Sequence, residues 1–579
     1  MNVKKATDVF NLMDTNGRRD DVINALNGYL GILDNLLNAM NLEWKRMPES
    51  IAQFRFYKEA LDFSEGVFND HTPYDFVMNE LENSIELRNA IDRGDMEWIA
   101  IHKDEYPQVF KKIDNGIEDR ARHYTSNLVK LGFTDSSRII SEVGEQLLGH
   151  VPIEKDALEE LLPINNINLL YLRQLLKLRV FTNEGDRYYS PFCFALYVLL
   201  KRGRVTQSEF NELIQGRNPY RLIDDIENYV MNYSEGQYLE ELQIIVPNEI
   251  EGENELCDDV LRKYFKNGKS SSIVDKYIEF YRAIYRFDNA RTQENLNNLL
   301  EICENYNGSL NSAFGHGKSV FSVRRTERPS VEHFLRNEPT ELFSGNVNVE
   351  FYKMFVKSKT ADKIRENSDT TRRIFKASGL ISFSNGYAEL VYSELCRHIF
   401  DVDILKDKSM GQIETDLNTY YACYDEYEGD VNTFFCSAVS IEGIFGYDDV
   451  TVNTAIEEIQ SEFEGASIDE IHTIIVDRRR REFEDYIDAN YSKERVQYLI
   501  GLFSDRSNDS IIKSEVSTEA SVPTIYEYVV GLAWYYFSNK RINLLDSYNL
   551  TLSADFEPIT HAGGGAGDIV IHEDDKVVM

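Results

Sequence analysis

Apolar residues recur at helical spacing through most of this chain. Asp21–Leu26 running on to Leu36–Met40 shows the pattern, as do Ile51–Tyr57 and Ala455–Phe463, and such three-to-four-residue periodicity predicts amphipathic helices. Alternation suited to strands is rare and short. It occurs at Ile381–Leu390, around Asn385-Gly386, and again near the C-terminus after Asp568. Asn-Gly between apolar positions is a strong hairpin signal. The pattern therefore predicts a mostly α chain with small β wings.

Three stretches couple a helix to a turn or hairpin. Arg120–Phe133 carries Arg120, Arg122 and Lys130, breaks at Gly132, and is followed by the polar turn Thr134–Ser137. Leu169–Phe181 predicts a second helix, with Thr182–Tyr189 as a tight turn. Thr370–Leu380 predicts a third, bearing Arg372, Arg373 and Lys376 ahead of the 381–390 hairpin, with Lys357, Lys359, Lys363 and Arg365 upstream. A basic helix followed by a two-stranded wing is the winged-helix pattern, whose helix can enter the major groove. The same pattern also serves packing, with the cations solvating a surface. On the first view Arg372, Arg373, Lys376, Arg120, Arg122 and Lys130 are candidate DNA contacts. These shifts divide the chain into a helical region at 1–118, winged-helix-like regions at 119–260 and 261–400, an acidic helical linker region at 401–522, and a C-terminal piece at 523–579.

Charge complicates a nucleic-acid reading. The formal net charge is −36, and neutralising phosphates requires Lys and Arg. Specific binding depends on where cations sit, however, not on their sum. Arg478–Arg481, beside Asp477, Glu482 and Glu484, predicts a solvated, ion-paired helix face, with a phosphate contact as the functional alternative. The six cysteines lack C-x-x-C spacing, so zinc is not expected and they read as reduced thiols. No long apolar run predicts a membrane span, and the N-terminus lacks an apolar signal core, which makes the cytoplasm the expected location. Gly315–Ser319 ends like a phosphate-binding loop, but Ser312 stands where the first glycine is required, so it reads as a plain loop.

The chemistry-bearing stretch is the last one. Gly563-Gly564-Gly565-Ala566-Gly567 delivers Asp568 to the start of an apolar run, acidic residues follow, and a second apolar run begins at Lys576-Val577-Val578. This predicts a β-hairpin with a carboxylate leading its first strand. By pattern alone it is either a Gly-rich loop entering an edge strand or one half of a carboxylate site for a divalent cation.

The motifs carry a resemblance. Thr524–Tyr528 through Trp534–Phe537, then Pro558-Ile559-Thr560-His561-Ala562-Gly563, then Asp568 and Glu573-Asp574, resemble the AlwI family of type IIS restriction endonucleases. Tyr189–Gly203 and Thr371–Leu380 resemble parts of its recognition region. The resemblance implies Mg²⁺-dependent hydrolysis of double-stranded DNA at a distance from a recognised site, by cutting or nicking. It implies the start of a PD-(D/E)XK-type α/β nuclease domain in 523–579. Asp568 would be the catalytic, metal-binding acid and Glu527, on the preceding helix, a supporting one. A second nuclease copy or subunit would serve the other strand. In the family's register the second strand's acid falls just past Met579, so the resemblance implies a chain that is catalytically incomplete by itself. The alternative is a non-catalytic winged-helix DNA-binding or protein-interaction scaffold.

Overall fold

The computed structural model describes residues 2–13, 21–44, 49–63, 72–267, 271–314, 320–321, 328–338, 340–413, 434–561, 569, 571–573 and 576–578. It is mostly helical with small sheets, as the periodicity predicts. No helix among the described residues is long and apolar enough to cross a membrane.

Apolar side chains gather into three cores. The first draws on residues 3–242 and 364–475 together with Ile559, the second on 250–355 and the third on 483–556. The N-terminal helices share the first core with the helices that come after residue 118: the rings of Tyr29 and Tyr57 each lie 5.6 Å from that of Tyr124. The second core is an all-helical insert between two parts of the first. This grouping differs from the five stretches marked out by the sequence pattern, because apolar faces separated by more than a hundred residues close on one another.

Two long helices join the cores. Val347–Lys376 is 30 residues long, about 45 Å at 1.5 Å per residue. Its start buries Phe351 and Phe355 in the second core, and its end buries Ile374 and Phe375 in the first. The Asn346 side chain caps it by accepting from the Asn348 and Val349 N–H groups. Ile468–Asn490 begins at a capping box made by Ser467 and Glu470. It buries Ile471 and Ile475 in the first core and Phe483 and Ile487 in the third.

The sheets sit beside these helices. Strands 2–3, 180–182, 187–189 and 411–412 form one sheet in that order. The helix expected over 169–181 runs instead over Asn166–Lys177. Leu178 turns extended, and Val180–Thr182 then pairs antiparallel with Arg187–Tyr189, since β-branched and aromatic residues suit a pleated ladder. A second sheet has the order 204–206, 387–390, 381–382. The expected hairpin is there: Ile381 pairs with Leu390 and Ser382 with Glu389. Asn385 and Gly386 both take positive φ, 52° and 77°, in its loop. Gly315–Ser319 lies outside the described residues. Cys193 and Cys396 are buried free thiols. Cys436 corrects the all-reduced reading, because it is disulfide-bonded and pairing in space does not follow spacing in sequence.

Candidate nucleic-acid interface and nuclease site

The acid-bearing end of the chain is built around the helix Val522–Phe537, capped by Ser521, whose Oγ accepts from the Thr524 N–H. Glu527 is half-buried on this helix. The helix packs on the strand Pro558–His561, which pairs antiparallel with Leu550–Leu552. The expected hairpin follows: Ile571–Glu573 pairs antiparallel with Lys576–Val578. Asp568 itself lies outside the described residues. One residue that sequence reasoning missed ties this end together. The Tyr548 ring stacks on that of Tyr528 at 5.4 Å, and its hydroxyl donates to the Tyr528 carbonyl at 2.6 Å. The Tyr548 backbone also bridges to Ile569. The chain neighbours of Glu527 and of Asp568 are thus both held by Tyr548. Among the described residues no group of three His, Cys, Asp or Glu side chains could hold a metal.

The candidate DNA contacts fall in two places. Arg120, Arg122 and Lys130 lie on the helix Glu118–Lys130. Arg120 is exposed. Arg122 pairs with Glu118 and Asp119, and Lys130 donates to the Asn11 carbonyl at 3.3 Å. Arg372, Arg373 and Lys376 occupy the last turns of the 347–376 helix. Arg372 donates to Gln207 at 3.0 Å and pairs with Asp369 at 2.9 Å, and Arg373 pairs with the same Asp369 at 2.7 Å. Lys376 is only 13% exposed, with Glu557 at 3.2 Å, Glu519 at 3.4 Å and Asp555 at 4.0 Å. Burial pulls its pKa down, but these carboxylates outweigh burial and raise it. Lys376 therefore faces the chain's own acids and not open solvent. On the 166–177 helix every residue from Ile167 to Lys177 is buried, so that helix has no free face.

The cation-rich turns belong to a compact arrangement. Helix Pro191–Arg202, strand Arg204–Thr206 and helix Gln207–Gln215 come first. After the second-core insert come the end of the 347–376 helix and strands 381–382 and 387–390. Strand 204–206 pairs with 387–390. Phe375 packs edge-on against Phe192 with ring centroids 4.9 Å apart, and Phe383 against Phe210 at 5.2 Å. Gln207 links the parts by donating to the Phe383 carbonyl while accepting from Arg372. Arg204 lies 3.8 Å above the Tyr387 ring.

A comparison with protein families matches the AlwI restriction endonuclease family over residues 128–579. The chain belongs to the AlwI restriction endonuclease family. No curated protein matches it. Membership makes the chain a restriction nuclease and DNA its substrate. The AlwI match covers all three candidate contacts on the 347–376 helix, Lys130, Glu527 and Asp568, and begins after Arg120 and Arg122.

Proposed function

We propose that the chain acts as a type IIS restriction endonuclease or strand-nicking enzyme. A winged-helix reader formed by residues 191–215 and 364–390 recognises a short duplex site, and the unit around the third core cuts beyond it. The order helix, strand, helix, helix, strand, strand, with the first strand beside the last, supports a winged-helix reader.

One observation carries the reading of cleavage at a distance. The helix bearing Glu527, and Ile569 next to Asp568, pack in the third core, the reader sits on the first, and the 23-residue helix 468–490 runs between the two cores. Such a helix is about 35 Å long, close to one turn of duplex DNA.

Asp568 and Glu527 are the proposed holders of Mg²⁺, an ion commonly bound through one or two carboxylates. The ion would polarise the scissile phosphoryl group and activate the attacking water. Glu527, on a capped helix fixed through Tyr528 and Tyr548, is the positioned acid of the pair. Cutting both strands calls on a second copy or a partner nuclease subunit.

Mapping the ends produced from plasmid DNA with Mg²⁺ tests this reading. Ends at a fixed offset from one sequence, lost in Asp568→Ala while duplex binding persists, are expected. Cleavage indifferent to Asp568 would reject the site, and ends scattered over unrelated sequences would reject the type IIS assignment.

A further inference from the structure

At the start of the wing, three donors of different kinds converge on one carboxylate. The Ser382 hydroxyl donates to Asp555 Oδ1 at 2.5 Å, the Phe383 backbone N–H donates to Oδ2 at 3.1 Å, and Lys376 Nζ stands 4.0 Å from Oδ2. A hydroxyl, a main-chain amide and an ammonium are the groups proteins place around a nucleic-acid phosphate. Here their ligand comes from the chain itself, 172 residues beyond Phe383.

Asp555 is presented by a tight turn at 553–557 in the third-core unit. The Ser553 N–H donates to the Glu557 carbonyl at 2.8 Å, and Ser553 Oγ accepts from the N–H groups of Asp555 and Glu557. Phe556 in this turn has φ of 64°, a left-handed conformation that is strained for a bulky side chain. The Arg479 guanidinium covers its ring at 3.6 Å and donates to the Ala554 carbonyl. The turn therefore carries backbone strain while it holds Asp555 outward.

The charges at this contact do not balance. Lys376 meets Glu519, Asp555 and Glu557. Burial raises the pKa of Glu519; Lys376 opposes that, and Glu557 adds to it. Arg373 also faces Glu519, and Arg479 with Glu482 lines the cleft alongside. That cleft, about 740 Å³, opens to solvent between the wing, the 468–490 helix and the 553–557 turn.

We propose that Lys376, Ser382 and the Phe383 amide form a binding site for a DNA backbone phosphate, and that Asp555 occupies it as a stand-in until DNA displaces the 553–557 turn. A phosphate in the cradle leaves the same three donors satisfied. It also relieves the crowding of Asp555 with Glu557 and Glu519, and frees the third-core unit from the wing. The inference rests on the reading of this module as the DNA reader.

The test is duplex affinity of the full chain by fluorescence anisotropy, with thermal unfolding as the control for folding. Asp555→Ala, which removes the competitor and keeps the cradle, is expected to bind the recognised duplex about tenfold more tightly, a typical size for coupling between two sites. Asp555→Asn, which keeps the side chain's size, should shift in the same direction. Ser382→Ala and Lys376→Met should weaken binding and cancel the gain when added to Asp555→Ala. If Ser382→Ala, Lys376→Met and Arg372→Ala all leave affinity unchanged, the module is not the reader and the proposal falls with that reading. If they weaken binding but folded Asp555→Ala and Asp555→Asn gain nothing, the reader stands and the displacement is overturned.

Discussion

The Glu159 carboxylate and the Arg173 guanidinium meet at two points, 2.8 and 2.5 Å, with side chains 0% and 2% exposed. The Ile441 N–H donates to the same carboxylate at 2.8 Å, and Arg173 also donates to the Glu154 carbonyl at 2.6 Å. The 166–177 helix is thereby pinned inside the first core. Removing one partner of a buried pair leaves the other charge uncompensated. Arg173→Met should therefore destabilise the fold by about 3–5 kcal/mol, read as a lower denaturation midpoint. A change near zero would contradict this.

Arg217 is the opposite case. It is 4% exposed, yet its Nε and Nη2 have no hydrogen-bond partner among the described residues. The rings of Tyr229 and Phe194 lie at 5.7 and 5.9 Å from its guanidinium. Burial pushes its pKa down to about 10. Burial outweighs the nearby Glu241 charge, and no ion pair holds Arg217 among the described residues; such a buried cation is costly, and replacing it with an apolar chain removes the cost. Arg217→Met should be neutral or stabilising in the same measurement, and a large loss of stability would contradict this.

Lys177 should make stability depend on pH. It is 1% exposed, donates to the carbonyls of Phe435 at 3.1 Å and Ser437 at 2.9 Å, and has its pKa lowered to about 7 by burial and then by Arg173. Unfolded, a lysine titrates near 10.4. Between those values the unfolded chain holds one more proton than the folded one, so stability rises with pH across that window. The slope from this group is at most about 1.4 kcal/mol per pH unit. Lys177→Met should remove that contribution, which unfolding midpoints from pH 7 to 10 would show. Identical slopes in the two proteins would refute it.

Asp369 should restrain Arg372 and Arg373. It holds both Arg372, at 2.9 Å, and Arg373, at 2.7 Å. If these arginines contact phosphates, each Ala substitution should weaken duplex binding and flatten the dependence of log K on log salt by about 0.9. Asp369→Asn should strengthen binding by releasing both. Salt titrations of the three variants check the point, and unaltered slopes would place phosphate contact elsewhere.

Much that the sequence determined is local. Apolar spacing gave the helices around 22–34 and 51–63, and Asn385-Gly386 gave the turn of the 381–390 hairpin through its two positive φ angles. The ion-paired face at Arg478–Arg481 also followed from spacing: Arg479 meets Glu482 and Arg480 meets Glu484, three and four residues on. The hairpin after Asp568 was legible for the same reason. Tertiary structure decided the surroundings of the charged residues. Lys376 reads as a free cation on a basic helix until Glu519, Asp555 and Glu557 arrive from 143 to 181 residues away. The 166–177 helix reads as a recognition helix until the first core closes on all its sides. Periodicity fixes which face of an element is apolar, but not which distant element covers it. That choice depends on how buried area and paired charge are shared across the whole fold.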